Sequence, residues 1–146
     1  MVLRITGRVR YDPDRSMRLL LTGPDGQIDA GSTRRTADLG RMARDAAERH
    51  YGPDATEVSL LVDRPPWLRE GTVVRPVAPS DDPGETHEHP YGQVVGFLPV
   101  GGVLVWRPGT SVEVHAPEDL VPCGPESVPP AVLRDMTART GITPAR

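Results

Sequence analysis

Apolar and polar residues alternate from the start of the chain, with Leu3, Ile5, Val9 and Tyr11 interleaved with Arg4, Thr6, Arg8 and Arg10. A period of two predicts a strand with one buried face. Asp12 to Ser16 reads as a turn, and Met17 to Thr22 as a second strand. In Gly23-Pro24-Asp25-Gly26, proline presets φ and glycine supplies a positive φ, so a tight turn leads into a third strand over Gln27 to Ala30. From Thr36 the period becomes helical: Leu39, Met42, Ala43, Ala46, Ala47 and His50 share one side, while Arg41, Arg44, Asp45, Glu48 and Arg49 lie elsewhere. Thr36 is the expected N-cap, Asp38 suits the positive end of the helix dipole, and Gly52-Pro53 is the stop. Glu57 to Asp63 returns as a strand with Val58, Leu60 and Val62 on one face. Residues 1–64 are therefore predicted to form a βββαβ module, one sheet crossed by one helix.

The pattern changes at Pro65-Pro66, where tandem prolines predict a stiff linker. Short strands follow at 71–76, 93–98, 103–107 and 111–115, separated by Gly and Pro turns and by a polar loop over 78–90. Glu118 to Val121 closes the run as a one-turn helix or a last short strand. Such spacing predicts a small all-β barrel over 68–122. In the remaining tail, 123–146, Pro129-Pro130 and Gly141 bracket a short helix with Val132, Leu133 and Met136 on one face. The fold class expected is thus α+β: a βββαβ module, a small barrel and a short C-terminal helix.

Two modules of this size have thin cores, each contributing no more than about 3–5 kcal/mol. Burial against a partner, or against a second copy in a homo-oligomer, is the usual remedy. The net charge of −3 is unevenly spread, with 12 Arg against 11 acidic residues in 1–70 and 5 against 9 in 71–146. Indiscriminate binding to nucleic acid through a basic field is disfavoured by this balance. All 17 basic residues are arginine, and Lys and Asn are absent. Because GC-rich codons encode Arg, this reads as the signature of a high-GC bacterium. Cys123 is the single cysteine, so no internal disulfide or zinc knuckle is available. The chain opens on a strand pattern with neither a secretory h-region nor a long apolar run, which predicts a soluble cytoplasmic protein with no membrane partner.

The stretch IDAGSTRRTADLGRMARDAAERHYGPDATEVSLLVD resembles the HicB-like antitoxin fold. The likeness covers about residues 3–63 and rests on element order, the Gly31-Ser32-Thr33 approach and the alanine-rich helix. It implies a non-enzymatic protein that masks a toxin nuclease, although the DNA-binding element usual at the C-terminus of that family is not visible here. The second half, GTVVRPVAP and YGQVVGFLPVGGVLVWRPGTSVEVHAPEDLVP, resembles the five-stranded barrels of Tudor and KOW type. That likeness implies binding of protein, peptide or nucleic acid at a loop rim.

Candidate chemistry is sparse. His87-Glu88-His89 is an H-x-H pair able to share a divalent metal with His115 or Glu113, and HEHPYGQ with PGTSVEVH resembles the cupin pattern. From His89 to Pro108 is only 19 positions, about one hairpin short of that pattern. Tyr91, Phe97 and Trp106 are candidates for an aromatic rim able to cage a cation, against the alternative that Phe97 and Trp106 are core. Arg4, Arg8 and Arg10 form an outward row with Arg18 beside them, either a phosphate-tracking stripe or a solvated face balanced by carboxylates. Cys123 would act as a nucleophile only with a base such as His115 nearby. The reading that follows is a non-enzymatic binding or regulatory protein that masks or recruits a protein partner through Arg4, Arg8, Arg10, Tyr91 and Trp106. The alternatives are an RNA-binding module using the arginine row and a cupin-like metal enzyme using His87, His89 and His115. No cofactor is implied by the leading reading.

Overall fold

The computed structural model describes residues 3–52, 56–77, 89–108 and 112–145. The chain divides into two compact units, residues 1–64 with 99–101 and residues 65–98 with 102–146. Among the described residues each unit carries one sheet and one α-helix, an α+β arrangement.

In the first unit, β1 (Leu3–Tyr11), β2 (Met17–Gly23), β3 (Gly26–Thr33) and β4 (Thr56–Val62) form a sheet of order β3-β2-β1-β4. The β1–β2 and β2–β3 pairs are antiparallel, whereas β1 and β4 run parallel. A parallel pair needs a crossover, and α1 (Leu39–Tyr51) lies within it. Ile5, Val9, Met17, Leu19 and Leu21 on the sheet pack against Leu39, Ala43, Ala46 and Ala47 of α1 to make the core. Alternate residues of β1 are therefore buried and exposed along its length.

Two local expectations change. Thr36 does not cap the helix; Thr36–Asp38 form a single 3-10 turn ahead of α1. The hydroxyl that organises the entry is that of Thr33, which accepts the Arg35 N–H at 3.1 Å and donates to Asp38 Oδ2 at 3.0 Å. His50 falls on the apolar stripe by period yet is exposed. Burying an imidazole without hydrogen-bond partners is costly, and His50 instead rests edge-on against Tyr51, ring centroids 4.7 Å apart.

The Tyr51 hydroxyl lies buried against Gly23 with no hydrogen-bond partner among the described residues. An unsatisfied buried hydroxyl opposes folding, so Tyr51→Phe is expected to leave stability unchanged or raise it by up to about 1 kcal/mol. Urea unfolding of the two proteins checks this, and a clear loss of stability would reveal a partner for the hydroxyl.

In the second unit, β5 (Val73–Pro76), β6 (Gly92–Phe97), β7 (Val103–Trp106), β8 (Glu113–His115) and β9 (Leu120–Cys123) form an antiparallel sheet of order β8-β7-β6-β5-β9. A single 3-10 turn, Pro117–Asp119, precedes β9. The expected barrel is not closed: β8 and β9 are the edges, and no pairing joins them among the described residues. The physical reason is that both faces of this sheet are apolar and each is covered. One face carries Val74, Val94, Val103 and Val105, packed with Leu68 and Leu120. The other carries Val73, packed with Val128 and with Met136 of α2 (Pro130–Thr140). Strands of three and four residues also offer few ladder bonds with which to bend the sheet shut.

The expected linker contributes to this unit. Pro65 accepts the Leu68 N–H at 3.1 Å, and Leu68 is 2% exposed. The C-terminal segment is held by Gln93, a wholly buried polar side chain on β6. Its Nε2 donates to the Ile142 carbonyl at 3.0 Å and to the Gly71 carbonyl at 3.3 Å, and its Oε1 accepts the Thr140 hydroxyl at 2.6 Å.

Candidate functional site

The outer face of the first sheet is solvent-exposed because α1 covers only the other side. Register fixes its composition. Arg8 stands between Leu61 of β4 and Leu20 of β2, and Leu20 faces Asp29 of β3. The neighbouring row runs Ser59, Thr6, Thr22, Gln27, and beyond the other flank Arg10 faces Arg18, which faces Ser32. Arg4 stands opposite Glu57. The structure thus brings Arg4, Arg8, Arg10 and Arg18 onto one surface around two leucines, of which Leu61 is 55% exposed.

Carboxylates are interleaved with these arginines. Arg8 pairs with Asp63 at 3.3 Å, and Arg18 with Asp29 at 2.8 Å and Asp12 at 3.7 Å. These pairs are exposed and stabilise the fold little. Their consequence is electrostatic, since Arg8 and Arg18 are neutralised in place. Arg10 has no ion pair among the described residues and faces Arg18 directly, leaving the local positive charge at that end.

Asp29 is held below the usual carboxylate range, first by the Gly31 backbone N–H at 2.9 Å and then by Arg18. Asp14 is lowered too, chiefly by its bonds from Ser16 and also by Arg34. A carboxylate whose folded pKa is depressed contributes stability above its unfolded pKa, about 3.9, and loses that contribution as pH falls through the lower folded value. Asp29→Asn is therefore expected to make the acid side of the first unit's stability profile shallower below about pH 4. Urea midpoints across a pH series read this directly, and an unchanged acid limb would contradict it.

The aromatic residues do not converge. Tyr91 and Trp106 pack against the cluster under α2, whereas Phe97 packs on the opposite face with Val94 and Val103. Successive residues of a strand point to opposite faces, and Val105 and Trp106 of β7 divide in this way. His89 lies beside Tyr91, with ring centroids 5.8 Å apart, and its Nδ1 accepts the Tyr91 N–H at 3.2 Å.

The histidine and cysteine candidates are scattered. His87 and Glu88 lie outside the described residues. His115 Nε2 is 3.2 Å from Glu113 Oε1 on the same strand. Cys123 lies on the opposite edge strand, where its Sγ donates to the Val121 carbonyl at 3.6 Å. Burial pushes its thiol pKa up, partly offset by Arg75. A raised pKa leaves little thiolate at neutral pH, the reverse of what an activated nucleophile needs. Among the described residues no group of three or more His, Cys, Asp or Glu is placed to hold a metal ion.

Two polar positions in the second unit escape sequence reading: Gln93, and Arg107, which is 6% exposed with its guanidinium 3.7 Å from Glu113. The available signal was a polar residue abutting an apolar strand, Gln93 before Val94-Val95 and Arg107 after Val103-Leu104-Val105-Trp106. Among the described residues no helix is long and apolar enough to cross a membrane. No protein-family model, curated protein or solved structure matches this chain.

Proposed function

We propose that the chain is a non-enzymatic, cytoplasmic binding protein whose first sheet presents its open face to a protein partner, masking or recruiting it. The observation carrying this reading is the composition of that face: four arginines, two of them paired with carboxylates, around two leucines. Apolar contact ringed by paired polar groups suits a protein interface, where charge complementarity sets register and specificity. A phosphate-tracking surface wants uncompensated guanidinium groups instead, because affinity for nucleic acid comes from counterion release at each neutralised phosphate. Of the four arginines here, Arg8 and Arg18 are already spoken for.

The HicB-like reading of the first unit draws support from the succession β1-β2-β3-α1-β4, with β4 parallel to β1. The Tudor- or KOW-like reading of the second draws support from five short antiparallel strands, with the last paired beside the first and a single 3-10 turn before it. Both likenesses agree with a protein that works by binding.

The test is capture of partners by the tagged full chain from its host, with and without nuclease, followed by native mass spectrometry. A protein retained in fixed stoichiometry after nuclease is the expected result. Co-purification of RNA alone, lost as salt rises, would replace this reading with the RNA-binding one.

A further inference from the structure

The second unit has an open groove beside α2 that the sheet-face reading does not use. Its walls are Leu133, Arg134, Thr137 and Ala138 of α2, with Pro125 before the helix and Pro144 after it, and its volume is about 550 Å³. Both walls are anchored. Met136 is wholly buried beneath α2. The segment after the helix is clamped by Gln93 at Ile142 and by the Ala145 N–H on the Gly71 carbonyl at 3.0 Å. A groove built between fixed walls costs a ligand little ordering on binding.

Its chemistry is apolar with one cation. Residues three and four positions from Arg134 along α2 are Pro130, Ala131, Thr137 and Ala138, none of them acidic. Asp135, the carboxylate of this helix, is taken by Arg139 at 3.0 Å. Arg134 therefore stands at the rim of an apolar trough with no ion pair among the described residues. Small-molecule sites enclose most of their ligand, whereas this groove is largely open to solvent and suits a segment presented by a larger partner.

We propose that this groove docks a short peptide segment of a protein partner, with an Asp or Glu on Arg134 and neighbouring apolar side chains against Leu133, Ala138 and Pro144. The inference rests on the partner-binding reading and assigns the second unit its own contact.

Selection of random displayed peptides on the full chain supplies the probe, and fluorescence polarisation of the enriched peptides reads affinity. Enriched sequences are expected to carry an acidic residue beside apolar ones. Their affinity is expected to fall about tenfold or more with Arg134→Glu, the scale of a charge-assisted contact, and to be lost with Ala138→Trp, which fills the trough. The Arg8→Ala/Leu61→Ala double variant of the sheet face should leave it unchanged. No enrichment over carrier, or binding that survives both groove variants, would overturn the groove. Peptide binding lost with the Arg8/Leu61 variant instead would also overturn it while leaving the sheet-face reading standing, so the two readings fail separately.

Discussion

Gly71→Ala is expected to destabilise the second unit by about 2–4 kcal/mol, combining left-handed backbone strain with overpacking. Gly71 has φ of +95°, a region that side chains other than hydrogen rarely adopt. A Cβ there would sit 2.8 Å from the Thr143 carbonyl oxygen and 3.2 Å from Ile142 Cγ2. The nearer obstacle is backbone, which cannot swing aside as a flexible side chain would. Gly71 is also a junction: its N–H donates to the Val94 carbonyl at 2.7 Å, and its carbonyl accepts from Gln93 and Ala145. Displacing it loosens the start of β5 and the C-terminal segment together. Thermal unfolding checks the magnitude, and amide exchange over 140–145 should rise in the variant. A midpoint within error of the parent would show that the segment is not held at Gly71.

The Arg8→Ala/Leu61→Ala double variant is expected to weaken the proposed protein partner's binding by about 30-fold or more, the loss of roughly 2 kcal/mol typical of a central interface contact. Both side chains are exposed, Leu61 at 55% and the Arg8 side chain at 58%. Exposed substitutions away from caps and buried networks usually shift stability by no more than about 0.5 kcal/mol. The variant therefore separates binding from folding. Retained affinity with an unchanged melting temperature would move the contact away from this face.

How far the chain can be read without coordinates depends on where each contact lies along it. The strand over Leu3 to Tyr11 was legible because α1 covers one face and solvent the other, so burial alternates with sequence. The same rule locates β6 but not its faces, since both are covered and burial runs on through Gly92, Gln93 and Val94. Val132, Leu133 and Met136 read as a helical stripe, yet the surface they meet includes Val73, far away in sequence. Gln93 is the sharpest case. Its partners Thr140 and Ile142 lie 47 and 49 residues further on, beyond the reach of any local pattern. The helix entry fails on a smaller scale. Thr33 and Thr36 offer chemically equivalent hydroxyls, yet Thr33 takes the Arg35 N–H and Asp38 ahead of the 3-10 turn and neither side chain caps α1.

The site shows the same division. The outward direction of Arg4, Arg8 and Arg10 follows from period two, and Arg18 joins them by register. The neutralising partners do not follow, because Asp29 and Asp63 reach the face from β3 and from the residue after β4. Those partners are what shift the balance from a phosphate stripe to a protein-binding face. Phe97 and Trp106 pack into the two opposite clusters, as the core alternative had it, because the register shift between Val94 and Gly96 turns Phe97 to the Val103 face while alternation along β7 sends Trp106 to the other.

Parallel capture by the parent chain and the Arg8→Ala/Leu61→Ala variant tests whether the open sheet face of the first unit binds a protein. Native mass spectrometry after nuclease treatment should find a protein in fixed stoichiometry on the parent and little or none on the variant. Equal capture by both would move the contact off this face, and capture that nuclease abolishes would make the bound partner a nucleic acid.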